Sequence, residues 1–521
     1  MFTSKPKIRT RTVAVTVKKP TPGSTAPKTP SSAPPSVRKP GAATAPANRY
    51  SLTPSSKVRQ PAAHTQTQTQ TREPARQSLS VSAAHQRKRK VTPSTPQWAS
   101  SDESSDDEDV GDRKRQKTSS STEPTNLHRC LEPDLRRRIR CQEPDARRQE
   151  NGNANGSGAG AGGDKKAARE VKLIHGIKMS RGGWAKDFKP AFPGQGANLV
   201  VELQYPSPSR PERFETVVPY DTSNFNPLDD IYFSMEEIIQ HYLPSDLSAS
   251  LSSDTDGPVR LLKRAVGKNS PQDFEAALST FNALIRKNLE DDTIARVLDT
   301  LHAIPLSLTK RILAQVYQRT VSPYAHLLRK VKGKETTYGE LLPTFAHSIF
   351  QQTSLNSASV FVDLGSGVGN VVLQSALQTG AESHGIEIMP TPAKYASLQA
   401  AELRARSRLW NIALGPISLH HGDFLESAAM DAALRRADVV LCNNKVFPQQ
   451  LNGALLDKFL DLKVGARIVS LASFVNGGGK GGIRNEWSIA NLFEEERFES
   501  GTNSVSWAGE SVEYFIATKV R

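Results

Sequence analysis

Phe361-Val-Asp-Leu-Gly-Ser-Gly-Val-Gly-Asn370 is the stretch of this chain that decides the fold. Phe361, Val362 and Leu364 form a short apolar run broken only by Asp363, the pattern of a buried strand that carries an acidic side chain to its end. Gly365, Gly367 and Gly369 then alternate around Ser366 and Val368 before Asn370 opens a helical stretch. The dinucleotide fingerprint of dehydrogenases needs G-x-G-x-x-G, whereas this turn reads G-x-G-x-G. The spacing favours S-adenosylmethionine over NAD as the nucleotide-like ligand.

Downstream, strand and helix patterns alternate. Strands are expected at 360–364, 384–388, 417–420, 439–442 and 466–472, with helices at 370–378, 393–409 and 451–462. Apolar, β-branched strands alternating with helices argue for a parallel sheet covered on both faces. The last stretch, 504–507 and 512–516 around Ala508-Gly509-Glu510, reads as an antiparallel hairpin closing that sheet. An α/β fold of this plan is the class I, Rossmann-like methyltransferase sheet. Before it, apolar residues at helical spacing in 233–242, 274–287, 293–303 and 310–330 predict a mainly helical subdomain, with Pro305 as a break and Pro323 as a kink or stop. The expected division is an arm over 1–170, the helical subdomain over 171–335 and the methyltransferase core over 336–521.

Charge is unevenly spread. All of the net +15 lies in the first 170 residues, a Pro, Ser, Thr, Ala and Gln-rich segment too poor in apolar residues to offset its chain entropy. A disordered cationic arm attracts a polyanion through counterion release, and DNA is the densest one available. Basic clusters at 87–90 and 113–117 suit nuclear import or nucleic acid, and the acidic, serine-rich 101–109 block between them suits phosphorylation or a basic protein. The 151–163 stretch has linker composition, and the glycine loop at 477–482 followed by Arg484 is a further basic surface. The three cysteines, Cys130, Cys141 and Cys442, lack zinc or disulfide spacing, so no metal is expected. With neither a signal core nor an apolar run long enough to span a bilayer, a soluble intracellular protein is expected.

Ligands of open α/β sheets bind beyond the carboxyl ends of the strands. Those ends hold, in order, Asp363 with the glycine turn, Glu387, Asp423-Phe424 and Asn443-Asn444. A carboxylate at Glu387 can accept two ribose hydroxyls; Asp423 can take an adenine amino group while Phe424 stacks on the ring. The glycines admit the methionine portion, and Asp363 faces its charged end. Singly each residue has a plain structural reading, as turn, solvated acid or helix cap. Their order on successive strand ends points to one cofactor.

These residues, with Tyr338-Gly-Glu-Leu341 upstream and Trp507 and Tyr514 downstream, resemble the non-SET histone H3 lysine methyltransferases named for disruption of telomeric silencing. The resemblance covers roughly 171–521 and implies methylation of a lysine in the globular core of histone H3, the lysine-seventy-nine mark, on nucleosomes, with effects on chromatin silencing and transcription. It further implies that Tyr338, Gly339, Glu340, Leu341, the run from Phe361 to Asn370, Glu387, Asp423 and Phe424 hold S-adenosylmethionine. Asn443, Asn444, Trp507 and Tyr514 would line the lysine channel. Lys445 departs from the aromatic residue the family often carries there. The partners implied are the nucleosome through histone H3 and, for the arm, DNA; a nuclear monomer is expected. A nucleic-acid methyltransferase and a non-enzymatic chromatin-binding protein remain open alternatives from the residues.

Overall fold

Val360–Leu364 (β1) is buried along its whole length, as its apolar run requires. The computed structural model to which it belongs describes residues 129–141, 173–194, 196–328, 339–475 and 489–521. The arm to residue 128 with its charged clusters, the 151–163 linker, Tyr338 and the 477–482 loop with Arg484 lie outside the described residues.

Around β1 are Glu382–Glu387 (β2), Ile417–His421 (β3), Val439–Cys442 (β4), Arg467–Ser470 (β5), Phe493–Glu499 (β6) and Glu513–Lys519 (β7). They form one seven-stranded sheet in the order β3-β2-β1-β4-β5-β7-β6. β1 to β5 run parallel, while β7 is antiparallel to both β5 and β6. This is the Rossmann-like methyltransferase arrangement. Strand order reverses between β1 and β4, which opens a crevice at their carboxyl ends.

The terminal hairpin differs from the expected one over 504–507 and 512–516. The terminal hairpin pairs β7 with β6, Phe493↔Lys519 through Glu499↔Glu513, and residues 504–508 form only isolated bridges. β6 reads Phe-Glu-Glu-Glu-Arg-Phe-Glu, with Glu494, Glu496 and Glu499 exposed on a sheet edge. An edge strand protected by charge lacks the apolar signature on which strand recognition depends.

The helical subdomain contains Pro227–Tyr242 (α1), Pro271–Glu290 (α2) and Leu306–Thr320 (α3). Asn226 caps α1 by accepting from Leu228 N at 3.1 Å, with Pro227 in the first turn. α3 stops at Thr320, and Pro323 sits in a short 3-10 turn, Ser322–Tyr324. Two small antiparallel ribbons, Phe188–Pro190 with Val217–Pro219 and Val200–Leu203 with Glu212–Glu215, add strand content the helical reading did not include. In the core, Pro343–Gln352 (α4), Asn370–Gln374 (α5), Pro390–Leu409 (α6) and Gln449–Lys458 (α7) cover the sheet.

A buried ionic network fastens the subdomain to the core. Glu212 accepts from Arg319 Nη2 at 2.7 Å and from Arg406 Nη1 of α6 at 2.9 Å. Asp230 of α1 pairs with Arg311 and Arg319 of α3. Burial would raise the Glu212 carboxyl, but the two guanidiniums override it and hold it well below the usual range. Gln315 of α3 completes the junction, its Oε1 accepting from Trp410 Nε1 at 2.8 Å. Losing one partner from such a network strands a charge and costs roughly 3–5 kcal/mol.

Residues 129–141, assigned by composition to the arm, pack on this body. Ile139 is buried, and Arg140 forks onto Asp299 with two bonds of 2.9 Å. Arg137 donates to Leu377 O at 2.6 Å and Gln378 O at 2.5 Å, carbonyls of the π-turn Ser375–Thr379 that follows α5. The globular body therefore includes residues upstream of 171.

Candidate active site

At the carboxyl ends of β1, β2 and β4 lies a cavity of about 680 Å³. Its wall brings together Glu340, Asp363, Glu387 and Asp423 with Asn370, Phe424, Asn443 and Trp507, residues drawn from the YGE loop, the strand-end motifs and the terminal tryptophan.

The floor is the glycine turn. Gly365, Gly367 and Gly369 have φ of +87°, +55° and +85°, conformations that a side chain disfavours. This curl presents Gly367 N to Glu387 Oε2 at 2.9 Å, while Met389 N donates to Glu387 Oε1 at 2.7 Å. The Glu387 carboxylate is thereby pinned at the end of β2; burial raises its pKa and the two backbone donors oppose the rise. Asp363 is more deeply buried, and burial followed by the neighbouring Glu387 carboxylate pushes it up to about 8.

Asn370 is oriented from α6. Gln399 Nε2 donates to Val368 O at 2.7 Å and to Asn370 Oδ1 at 2.9 Å. An amide that uses its oxygen in this way turns its NH2 the other way. Asn370 Nδ2 is buried without a protein partner on a residue that lines the cavity. A buried donor of this kind calls for an acceptor on a ligand.

On the next side Phe424 faces Phe447, with ring centroids 6.2 Å apart and planes inclined by 30°. Asp423 Oδ1 accepts from Leu425 N at 2.8 Å, which fixes the carboxylate next to the rings.

The roof is assembled from segments distant in sequence. Glu340 N donates to Ser506 Oγ at 2.9 Å, Ser506 N to Glu340 O at 2.8 Å, and Leu342 N to Ser504 O at 2.9 Å. Trp507 packs against Gly339, where any Cβ would stand 2.4 Å from the indole ring. The glycine of the YGE motif thus admits the tryptophan, which remains partly exposed at the mouth.

Gly339, Glu340, Leu341, Asp363, Gly365, Ser366, Gly367, Val368, Asn370, Glu387, Asp423, Phe424, Asn443 and Trp507 all line the cavity, as does Lys445. Other expected residues do not. Phe361, Val362 and Leu364 are buried in the sheet core, and Gly369 shapes the turn behind the wall. Asn444 points into the protein: its Oδ1 accepts from Leu471 N at 3.1 Å and Ala472 N at 2.8 Å, and its Nδ2 donates to Asn452 Oδ1 and Ala472 O at 3.0 Å. Its amide ties β4 to β5 and has no capacity left for a substrate. Tyr514 packs between Phe345 and Phe498 and donates to Gln352 Oε1 at 2.6 Å, away from the cavity. Phe447, Leu441, Ile388 and Met389 are wall residues that the motif reading missed. Alternation past the end of β4 could have separated the asparagines, since Leu441 and Asn443 face the cavity while Cys442 and Asn444 are buried behind it.

Among the described residues no group of potential ligands could hold a metal, and no helix is long and apolar enough to cross a membrane.

The family profile described as "Histone methylation protein DOT1" matches residues 317–519, which contain the whole cavity apart from sequence-distant supports. A relative from Aspergillus fumigatus, named "Histone-lysine N-methyltransferase, H3 lysine-79 specific", is 41% identical over 430 residues, covering 82% of this chain and 80% of its own length. The chain belongs to the DOT1 family. Within that family, an Emericella nidulans protein of the same name is 44% identical over 352 residues, 67% of this chain and 70% of the relative. Among solved structures, an O-methyltransferase from Bacillus cereus in complex with SAH overlays 40% of this chain and 90% of its own, at 14% identity and a TM-score of 0.26. An RNA methyltransferase from Salinibacter ruber in complex with S-adenosyl-L-homocysteine overlays 34% and 89%, at 20% identity and 0.23. Overlays this partial add nothing to the strand order itself.

Proposed function

We propose that this chain is a histone-lysine N-methyltransferase that uses S-adenosylmethionine to methylate lysine-79 of histone H3, the activity named for its DOT1-family relatives. The reading rests on one observation above others: in a chain of this family, a single cavity at the switch point of the sheet gathers the acidic, amide and aromatic residues of separate motifs. The nucleic-acid and non-enzymatic alternatives have no comparable support.

The cavity suits this cofactor. Its ligand carries a cationic amine and a sulfonium, and four carboxylates, Glu340, Asp363, Glu387 and Asp423, line the wall. Asp363, pushed up to about 8 by burial and by Glu387, is a carboxyl that a bound cation would stabilise in its ionised form. Asn370 Nδ2 offers the unpaired donor that an acceptor on the ligand would satisfy. Glu387 suits the ribose hydroxyls, and Phe424 with Asp423 suits the base. Gly339, Leu341 and the glycine turn enclose the remainder; Tyr338 keeps its motif-based assignment.

When bound, S-adenosylmethionine supplies a methyl group already activated by its sulfonium, so acid–base machinery is not the main requirement. The protein's task is to deliver a neutral lysine amine and exclude water. Lysine in water has a pKa near 10.4. Leu441, Phe447 and Trp507 surround the approach with apolar surface, which disfavours the ammonium. Lys445, exposed at the same rim, adds a like charge that acts in the same direction. Asn443 accepts an N–H from the amine through its amide oxygen and orients it. The Trp507 ring forms a wall that tolerates methylated ammonium through cation–π contact. The proton leaves to solvent at the open mouth.

We further propose that the cationic arm binds nucleosomal DNA by counterion release and that the protein acts in the nucleus as a monomer, the basic clusters having the composition of nuclear-import or nucleic-acid patches. Labelled cofactor with nucleosomes, and separately with naked DNA and RNA, tests the reading. Label in histone H3 from nucleosomes alone is expected; label in nucleic acid would overturn it.

A further inference from the structure

Glu340 belongs to a loop, yet its carboxylate is buried and is reached from the helical subdomain. Tyr317, fully within α3, donates from its hydroxyl to Glu340 Oε1 at 3.0 Å. α3 is itself immobilised: two residues before Tyr317 is Gln315, bonded to Trp410, and two residues after it is Arg319, clamped between Glu212 and Asp230. The Glu340 backbone is gripped separately by Ser506. Backbone and side chain are therefore held by two different parts of the molecule, and the Tyr317 contact ties the carboxylate to the helical subdomain.

We propose that Tyr317 is a positioning residue for methyl transfer, which aims the Glu340 carboxylate into the cavity toward the cationic end of the cofactor. A phenol is suited to this task. It gives one hydrogen bond to a charged acceptor without adding a charge of its own, so the carboxylate keeps its attraction for a cation. The helical subdomain thereby acquires a function beyond packing: its rigid junction with α6 reaches the cofactor wall through the Tyr317 hydroxyl. The inference rests on the assignment of Glu340 to the cofactor.

The test uses the full chain, with S-adenosyl-L-homocysteine as the calorimetric probe and nucleosomes as the kinetic substrate. Tyr317→Phe is expected to weaken binding about tenfold, the factor associated with losing one hydrogen bond to a charged group. The KM for cofactor should rise by a similar factor, with kcat, the nucleosome KM and the melting midpoint close to wild type. In a Glu340→Gln background the same substitution should change binding by less than about twofold, because the coupled partner is already altered. A structural role alone would instead lower stability and give additive effects. Glu340→Asp keeps the charge but draws it back from Tyr317, and is expected to lose affinity in the same manner. Wild-type binding by Tyr317→Phe, additivity in the double variant, or full affinity in Glu340→Asp overturns the inference. If Glu340→Gln binds like wild type, the assignment of Glu340 falls as well; if it binds weakly while Tyr317→Phe does not, only the positioning role falls.

Discussion

Replacing Asp363 with asparagine should separate the charge of the cavity from its shape. The wild-type carboxyl is pushed up to about 8 by burial and then by Glu387, so at pH 7 roughly one molecule in ten has it ionised. Binding a cation requires the ionised form. The apparent affinity at pH 7 then lies about tenfold below its limit, and close to 0.9 proton is released per ligand bound. Titrating S-adenosyl-L-homocysteine calorimetrically in two buffers of different ionisation enthalpy measures that release. At pH 7 wild type should release about 0.9 proton more than Asp363→Asn, and its affinity should climb roughly tenfold from pH 6 to 7 and about fivefold from pH 7 to 8, while the variant binds weakly at every pH. Titration of the ligand's own ammonium is common to both proteins and cancels. Stability has the opposite slope. The native state holds this proton more tightly than the unfolded chain, so wild-type stability falls as pH rises from the ordinary value of 3.8 to about 8 and then levels off. The variant lacks that fall. Equal proton release by the two proteins, or wild-type affinity that decreases between pH 6 and 8, would refute the reasoning.

Other substitutions probe the supports. Asn444→Ala leaves the buried Leu471 amide and the half-buried Ala472 amide without acceptors and should cost about 3 kcal/mol in denaturant unfolding; loss of activity at unchanged stability would return Asn444 to the substrate. Gly339→Ala places a Cβ 2.4 Å from the Trp507 ring and should cost roughly 1–3 kcal/mol while displacing the indole, seen as altered tryptophan emission and slower nucleosome methylation. Arg137→Met in the full chain strands the Leu377 and Gln378 carbonyls and should lower stability by about 2–3 kcal/mol, whereas no change would place residues 129–141 back in the arm.

Much of the sheet was legible because parallel strands buried on both faces must be continuous apolar runs, as in Val360–Leu364 and Val439–Cys442. β6 was illegible for the converse reason: an edge strand with glutamates outward carries almost no burial signal. The segment from 129 to 141 was hidden by composition, since its arginines look solvated until Arg137 is seen to satisfy the carbonyls of a π-turn. In the site, Asp363, Glu387 and Asp423-Phe424 could be found because strand ends are sequence-local features. Tyr317, Gln399 and Phe447 could not, because only tertiary packing brings α3, α6 and the loop after β4 to the cavity. The asparagine pair shows a different limit. Side-chain chemistry was read, but the alternation that sends Asn443 outward and Asn444 inward was not.

The central claim is tested most directly by tandem mass spectrometry of histones after incubating the full chain and S-adenosylmethionine with two sets of nucleosomes, one unaltered and one with H3 lysine-79 replaced by arginine. Methyl groups on that lysine in the first set, and no enzyme-dependent methylation in the second, are predicted. Equal methylation of both sets, or none of the unaltered nucleosomes, would contradict the account.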